Sequence, residues 1–406
     1  MDNETNEKYV FLKFLKLMGL ALLCGMCSGL LGALFAKVIV FVTALRGNNS
    51  WLIYLLPLGG IAIVWFYKYL NISGMNTNDV LKAAGENGEL SPKLSVAVFV
   101  CSAISHLFGA SVGREGAALQ LGGGTAEFFS RVFKLDKSVK QILVHCGMAG
   151  FFSALFGTPI AAFIFSLEVV CVFSINLKAT LPTFLSSISA FGVSHILGVK
   201  PERFNLEFNH SLSSALILKV ILISLLTGLL AVAFCASLSK SEKLFKTAFK
   251  NEYIRIAVGG VITILFTLWV GSYDYNGAGI NVIERIFEHG EFVGSAFFIK
   301  IIFTCVAVAA GYKGGEIVPT LFIGATFGAL IGSLLGLSPA FSAAIGMTAL
   351  FCGVTNCPLA AMFLSFEAFS WQAVPYIILS AAISFLASGK ISLYSAQKVK
   401  GFKKLF

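Results

Sequence analysis

Two kinds of apolar run constrain this chain more than any other feature: runs long enough to span a membrane, and runs of similar length that are broken in the middle. Residues 14 to 45, 51 to 70, 212 to 239, 254 to 272 and 372 to 389 belong to the first kind, since crossing about 30 Å of hydrocarbon takes about 20 helical residues. The stretches 94 to 125, 141 to 200 and 293 to 369 belong to the second, cut by Gly113, Glu115, Gly122 to Gly124, Pro159, Gly311, Gly314, Gly315 and Pro319. Backbone at membrane depth can break only where protein or a watery cavity satisfies the freed N–H and C=O groups. The breaks are therefore where a site is expected.

Composition agrees that lipid is the main solvent. Of 406 residues, 57% are apolar before the 40 glycines are counted and only 12% are charged, about half the charge of a soluble domain. A disordered chain and a cytosolic enzyme on a single anchor are both excluded, because no long polar segment exists. The net charge of +10 does not mark a nucleic-acid partner, since the basic residues are scattered singly between apolar runs. Only the end of the chain is locally basic, with Lys390, Lys398, Lys400, Lys403 and Lys404 and no acid after Glu367. By the positive-inside rule that end is cytoplasmic, and the N-terminus, with Lys8, Lys13 and Lys16, is placed on the same side. The apolar run from Leu17 past Val42 reads as a retained segment, not a cleaved signal. Nine cysteines lie almost entirely within apolar stretches and read as small core residues; Cys24 and Cys27 lack a second pair or a neighbouring His. No metal, disulfide or cofactor is expected.

The chain also repeats itself. Gly147 to Glu168 aligns without gaps on Gly346 to Glu367, with identity at eight of 22 positions, including Pro159/Pro358, Ser166/Ser365 and Glu168/Glu367. The offset of 199 residues implies two homologous halves, the first about 17–198 and the second about 212–389, followed by a C-terminal segment with Tyr394 and a basic tail, 390–406. Broken segments recur in both, around Glu115 and around Glu316. Paired broken segments in corresponding halves point to a transporter-type binding site at their interface.

Within Gly113-Arg114-Glu115-Gly116, a carboxylate at membrane depth costs about 2.5 to 3.5 kcal/mol on insertion scales and needs a reason. The glycines let the chain bend and expose free N–H groups at the start of the next helix, where the positive dipole end attracts an anion. Glu115 can be that anion. Protonated, it would leave, and a mobile anion could take the vacated place. The plainer alternative is a helix-terminal carboxylate paired with Arg114.

This segment resembles the G-K/R-E-G-P motif of the CLC family of chloride channels and anion/proton antiporters. Gly311 to Pro319 is similar to the family's G-x-F-x-P loop, Leu393-Tyr394-Ser395 to its terminal L-Y-S, and the segment led by Pro159 to its proline-led helix. The resemblance implies an all-α polytopic membrane protein, a single CLC transmembrane domain over 1–406 with tilted, partly broken helices in two inverted-topology repeats. It also implies a homodimer, a location in the bacterial inner membrane, and no cytoplasmic regulatory domain. By the same resemblance Gly113, Arg114, Gly116, Ile317, Val318 and Tyr394 would line an anion site, with Glu115 as the gating and proton-coupling residue.

The departures from that pattern carry further information. The family's first anion loop, G-S-G-I-P, is represented by Ile72-Ser73-Gly74-Met75-Asn76-Thr77-Asn78. Aligned on Gly74, Met75 replaces the serine, and a thioether has no proton to donate; a slip of register makes Ser73 or Asn76 the counterpart instead. In the third loop Ile317 stands for the phenylalanine and follows an acid, Glu316, which must be protonated or reach a cation such as Lys313 or Arg114. Glu316 is thus a candidate for proton transfer. The internal glutamate of chloride/proton antiporters is replaced by Val169, just after Glu168.

Together these departures resemble the bacterial fluoride/proton antiporter subgroup. Fluoride is small, tightly hydrated and a strong hydrogen-bond acceptor, so a pathway for it should be narrow with a few strong donors, such as the amide of Asn76 and the N–H groups of Ile317 and Val318. The expected partners are fluoride, or chloride, with protons, the lipid bilayer and a second copy of the chain. A chloride/proton antiporter and a passive channel of the same fold remain alternatives. An intramembrane hydrolase is disfavoured: Ser105, His106 and His145 fall in no nucleophile or metal motif, and the two histidines read as hydrogen-bonded core residues.

Overall fold

The structure, a computed structural model, describes residues 2–86, 88–174, 176–206, 213–369 and 373–399, with side chains from residue 11 onward. Lys400, Lys403 and Lys404 of the basic tail lie outside the described residues. Among the described residues the chain is mostly helical. Helix α1 (Asp2–Asn48) and a 3-10 turn (Ser50–Leu55) lead into α2 (Leu56–Tyr69), α3 (Thr77–Gly85), α4 (Lys93–Phe108), α5 (Glu115–Val132), α6 (Lys137–Phe156), α7 (Pro159–Glu168) and α8 (Leu177–Ile196). The second series is α9 (Ser214–Ala248), α10 (Glu252–Val270), α11 (Ile280–His289), α12 (Ala296–Ala310), α13 (Ile317–Leu334), α14 (Pro339–Thr355), α15 (Pro358–Ala368) and α16 (Val374–Ala387). Two short strands, β1 (Cys171–Val172) and β2 (Lys398–Val399), pair in parallel and tie the end of the chain to the turn after α7.

Helix lengths are uneven. Among the described residues six helical stretches are long and apolar enough to cross a membrane: Phe11–Asn48, Ser50–Tyr69, Lys137–Phe156, Ser214–Ala248, Glu252–Val270 and Ile317–Leu334. This corrects the sequence reading at two places. The run 372 to 389 yields a described helix of only 14 residues, with a proline in its first turn. Conversely α6 and α13 are unbroken over 20 and 18 residues within stretches read as interrupted; their glycines fit inside a helix where close packing needs them.

That packing is repeated in the two halves. Gly122 on α5 meets Gly147 on α6, and Gly324 on α13 meets Gly346 on α14, so closely that a Cβ on any of the four would enter the backbone of its partner. Small residues allow such approach in lipid, where burying apolar surface gives no drive between helices. Helices α7 and α15, the proline-led pair of the sequence repeat, run antiparallel. The Glu168 carboxylate, at the end of α7, accepts from the N–H groups of Leu359 and Ala360 at 3.2 and 2.8 Å. The Glu367 carboxylate, near the end of α15, accepts from Ile160 and Ala161 at 3.1 and 2.7 Å.

Candidate functional site

The two broken segments meet backbone to backbone. Gly113 and Gly315 exchange a pair of hydrogen bonds, 2.5 and 2.7 Å long, as an isolated antiparallel bridge. Immediately beyond it α5 begins at Glu115 and α13 at Ile317. Glycine is required here for space: a Cβ on Gly116 would stand 2.8 Å from the Cα of Gly315, and one on Gly315 would enter the N–H of Gly116. Two helix N-termini, with their unpaired N–H groups and positive dipole ends, are thereby brought to one point.

Glu115 occupies that point. It is fully buried, and its Oε2 accepts from the N–H of Arg114 at 2.9 Å and from the N–H of Val318 at 3.3 Å. One carboxylate oxygen thus joins the starts of both helices, where a bound anion would be stabilised by the same donors. Its other oxygen, Oε1, has no hydrogen-bond partner among the described residues, with Arg114 Nε 3.6 Å away. Arg114 is also clasped by Glu202, from the segment between the halves, so two acids share one guanidinium.

Two cavities approach this point from opposite ends of the molecule. The first, about 530 Å³, is lined by Tyr67, Gly74, Asn76, Lys313, Glu316 and Tyr394 among others. The second, about 520 Å³, is lined by Arg46, Ser50, His106, Arg114, Tyr273 and Asn276 among others. Helix α10 connects them: Glu252 and Arg255 at its start line the first, and Tyr273, just past its end, lines the second. Its 19 residues rise about 28 Å, the thickness of a bilayer core.

The sequence-named residues fall around this geometry unevenly. Gly74 and Asn76 line the first cavity, whereas Met75 packs half-buried against the core. Asn76 is the N-cap of α3: its Oδ1 accepts from the N–H of Asn78, Asp79 closes the box, and its Nδ2 donates to Gly74 O at 3.1 Å. Its amide is therefore engaged locally. Ile317 is buried in the core, and the N–H of Val318 goes to Glu115. Glu316 lines the first cavity but reaches neither proposed cation: among the described residues it has no ion pair, Arg114 being held by Glu115 and Glu202 while the Lys313 ammonium lies 4.3 Å from the ring centre of Tyr67.

Tyr394 is buried, lines the first cavity, and its hydroxyl has no partner among the described residues. The segment that carries it is pinned throughout: Leu393 N–H to Val354 O at 2.9 Å, Ala396 N–H to Asn78 Oδ1 at 3.0 Å, and Lys398 N–H to Val170 O at 3.0 Å. Sequence reading missed Asn78 in this role and missed Glu202 altogether. The run Asn76-Thr77-Asn78 was a signal for the first; nothing local marks the second, which meets Arg114 only through the fold. His106 and His145 donate from Nδ1 to Ser102 O and Ser166 O at 2.9 and 2.8 Å, as core residues do, and the Nε2 of His106 is left without a partner among the described residues.

Comparison with known proteins adds a second line. The family model described as voltage gated chloride channel matches residues 59–389. A chloride/fluoride channel protein of Pseudomonas syringae pv. tomato is 30% identical over 400 residues, covering 95% of this chain and 86% of that protein. The crystal structure of a CLC-type fluoride/proton antiporter superposes with a TM-score of 0.93 at 29% identity, over 96% of this chain and 99% of the other. A slow cyanobacterial Cl−/H+ antiporter shares the fold with a TM-score of 0.79 at 18% identity, over 92% and 94%. Helix ends converging on one buried carboxylate between two cavities are thus found in a chain whose sequence matches one family over most of its length, and this protein belongs to the voltage gated chloride channel, or CLC, family of membrane anion transport proteins.

Proposed function

We propose that the protein exports fluoride in exchange for protons across the bacterial inner membrane, as a homodimer with both termini in the cytoplasm. The observation that carries this reading is the Glu115 carboxylate bonded to the N–H groups of both Arg114 and Val318. Held there, it fills the seat of an anion and closes the path between the cavities. A proton on Glu115 weakens both bonds, since a neutral carboxyl is a poorer acceptor than a carboxylate. The side chain then withdraws, and a fluoride arriving past the Tyr394 hydroxyl takes the same donors. Return of the side chain as a carboxylate expels the anion toward the second cavity and releases the proton toward the first.

Glu316 gives the proton its cytoplasmic station. It lines the first cavity, and that cavity lets water reach it without the internal acid that Val169 replaces. Similarity to a fluoride/proton antiporter and to a chloride/fluoride channel protein supports fluoride as the cargo. The second reading is a passive anion channel, favoured by Val169, which is fully buried and cannot carry a proton.

One experiment separates them. Purified protein in vesicles is given a proton gradient with no fluoride gradient, and fluoride movement is followed. An antiporter moves fluoride uphill and Glu115→Gln abolishes the coupling; a channel ignores the proton gradient. Uphill movement that survives Glu115→Gln would remove Glu115 from the mechanism.

A further inference from the structure

Lys313 belongs to the loop that leads into α13, and among the described residues it makes no ion pair, although Glu316, three residues on, lines the same cavity. Its backbone N–H donates to Ser105 Oγ at 3.1 Å, which fixes the loop. Its ammonium sits on the face of Tyr67, 4.3 Å from the ring centre. Among the described residues no carboxylate lies within ion-pair distance of it: Glu252 is shared by Lys68 and Arg255, and Glu242 is taken by Lys246. An ammonium at membrane depth is expected to find a counter-charge or a polar partner, and a ring face compensates only part of its lost hydration.

Tyr67 adds an independent observation. It is 4% exposed, it lines the same cavity as Lys313, and its hydroxyl has no hydrogen-bond partner among the described residues. A buried hydroxyl is normally paired. The ring that carries the ammonium on its face therefore carries an unused donor at its rim, and the missing partner of both is an acceptor small enough to reach the two together.

We propose that Lys313 and Tyr67 form an anion-loading station in the first cavity, separate from the seat at Glu115 and from Tyr394, which takes a fluoride ion from the cytoplasmic side before it moves inward. A compact, strongly hydrated ammonium and a hydroxyl are hard donors. They replace the water lost by a small ion of high charge density better than that lost by a larger halide. The station rests on the transport reading above, and it adds a step at which fluoride is drawn in before Glu115 yields.

The test measures initial fluoride and chloride flux in vesicles as a function of anion concentration on the tail side, for wild type, Lys313→Gln, Lys313→Arg and Tyr67→Phe. Lys313→Gln is expected to raise the KM for fluoride about tenfold with the maximal rate and the proton-to-anion ratio unchanged, and Tyr67→Phe to raise it severalfold. Lys313→Arg should recover chloride KM more fully than fluoride KM. An unchanged KM in Tyr67→Phe, which keeps the ring and its packing, overturns the station even if the lysine variants fail to fold. A fall in maximal rate at constant KM also overturns it, since that is a structural defect. If wild type moves chloride alone and Lys313→Gln raises the chloride KM, the station stands for chloride and the fluoride reading falls.

Discussion

Glu168 and Glu367 each close the first turn of the helix that the other one ends. Their positions are related by the sequence repeat, and the exchange joins the two halves through four hydrogen bonds from backbone N–H to carboxylate. Losing a carboxylate cap that accepts two such bonds is expected to cost about 1 to 3 kcal/mol. Glu367→Ala should therefore lower the thermal unfolding midpoint in detergent, and Glu168→Ala should do the same. If both alanine variants melt like wild type, the exchange is not a stabilising contact.

Arg114 divides its charge between Glu115 and Glu202. Glu202→Gln leaves more of the guanidinium to Glu115, which favours the carboxylate over its protonated form. Lower pH is then needed to vacate the seat. The midpoint of fluoride flux against outer pH should move in the acid direction. A shift toward alkaline pH would contradict the shared arrangement.

Protonation of Glu115 opens the path in this reading, so anion throughput in wild type should rise as outer pH falls. In Glu115→Gln no group remains to titrate at that point, and the profile should be flat. Flux measured across a pH series in both proteins tests this; a parallel slope in the variant would place the proton sensor elsewhere.

Tyr394→Phe removes a hydroxyl that has no partner among the described residues and keeps the ring. A hydrogen bond to an ion contributes about 1.5 to 3 kcal/mol, so fluoride should bind at least about tenfold more weakly in a calorimetric titration. Equal affinity would mean that the hydroxyl faces no ion.

Gly315→Ala should prevent assembly, because the added methyl would have to enter the backbone at Gly116, and overpacking against fixed backbone costs about 1 to 3 kcal/mol or more. Gly19→Ala, where nothing lies within 4 Å of the added carbon, is the control. Both are read by yield and by elution as a single species.

How far the sequence revealed this arrangement follows from which forces act locally. Apolar length identified α1, α9 and α10, because crossing a bilayer is decided within one segment. The breaks at Gly113 and Gly315 were visible as glycine beside charge, and the repeat flagged Glu168 and Glu367 as equivalent. Their exchange was not visible, since it depends on how α7 and α15 face each other. Glu202 escaped for the same reason: it lies 88 residues from Arg114 along the chain. Asn76 looked like an ion donor by type, and only the turn geometry assigns its amide to a helix cap. Met75, which aligns with the family's serine if Gly74 sets the register, has its side chain against the core.

The bridge between Gly113 and Gly315 is made from main-chain atoms alone. Neighbouring side chains can therefore change without the crossing itself being lost. What fastens the two halves at that point is thus separable from the chemistry of the residues around it.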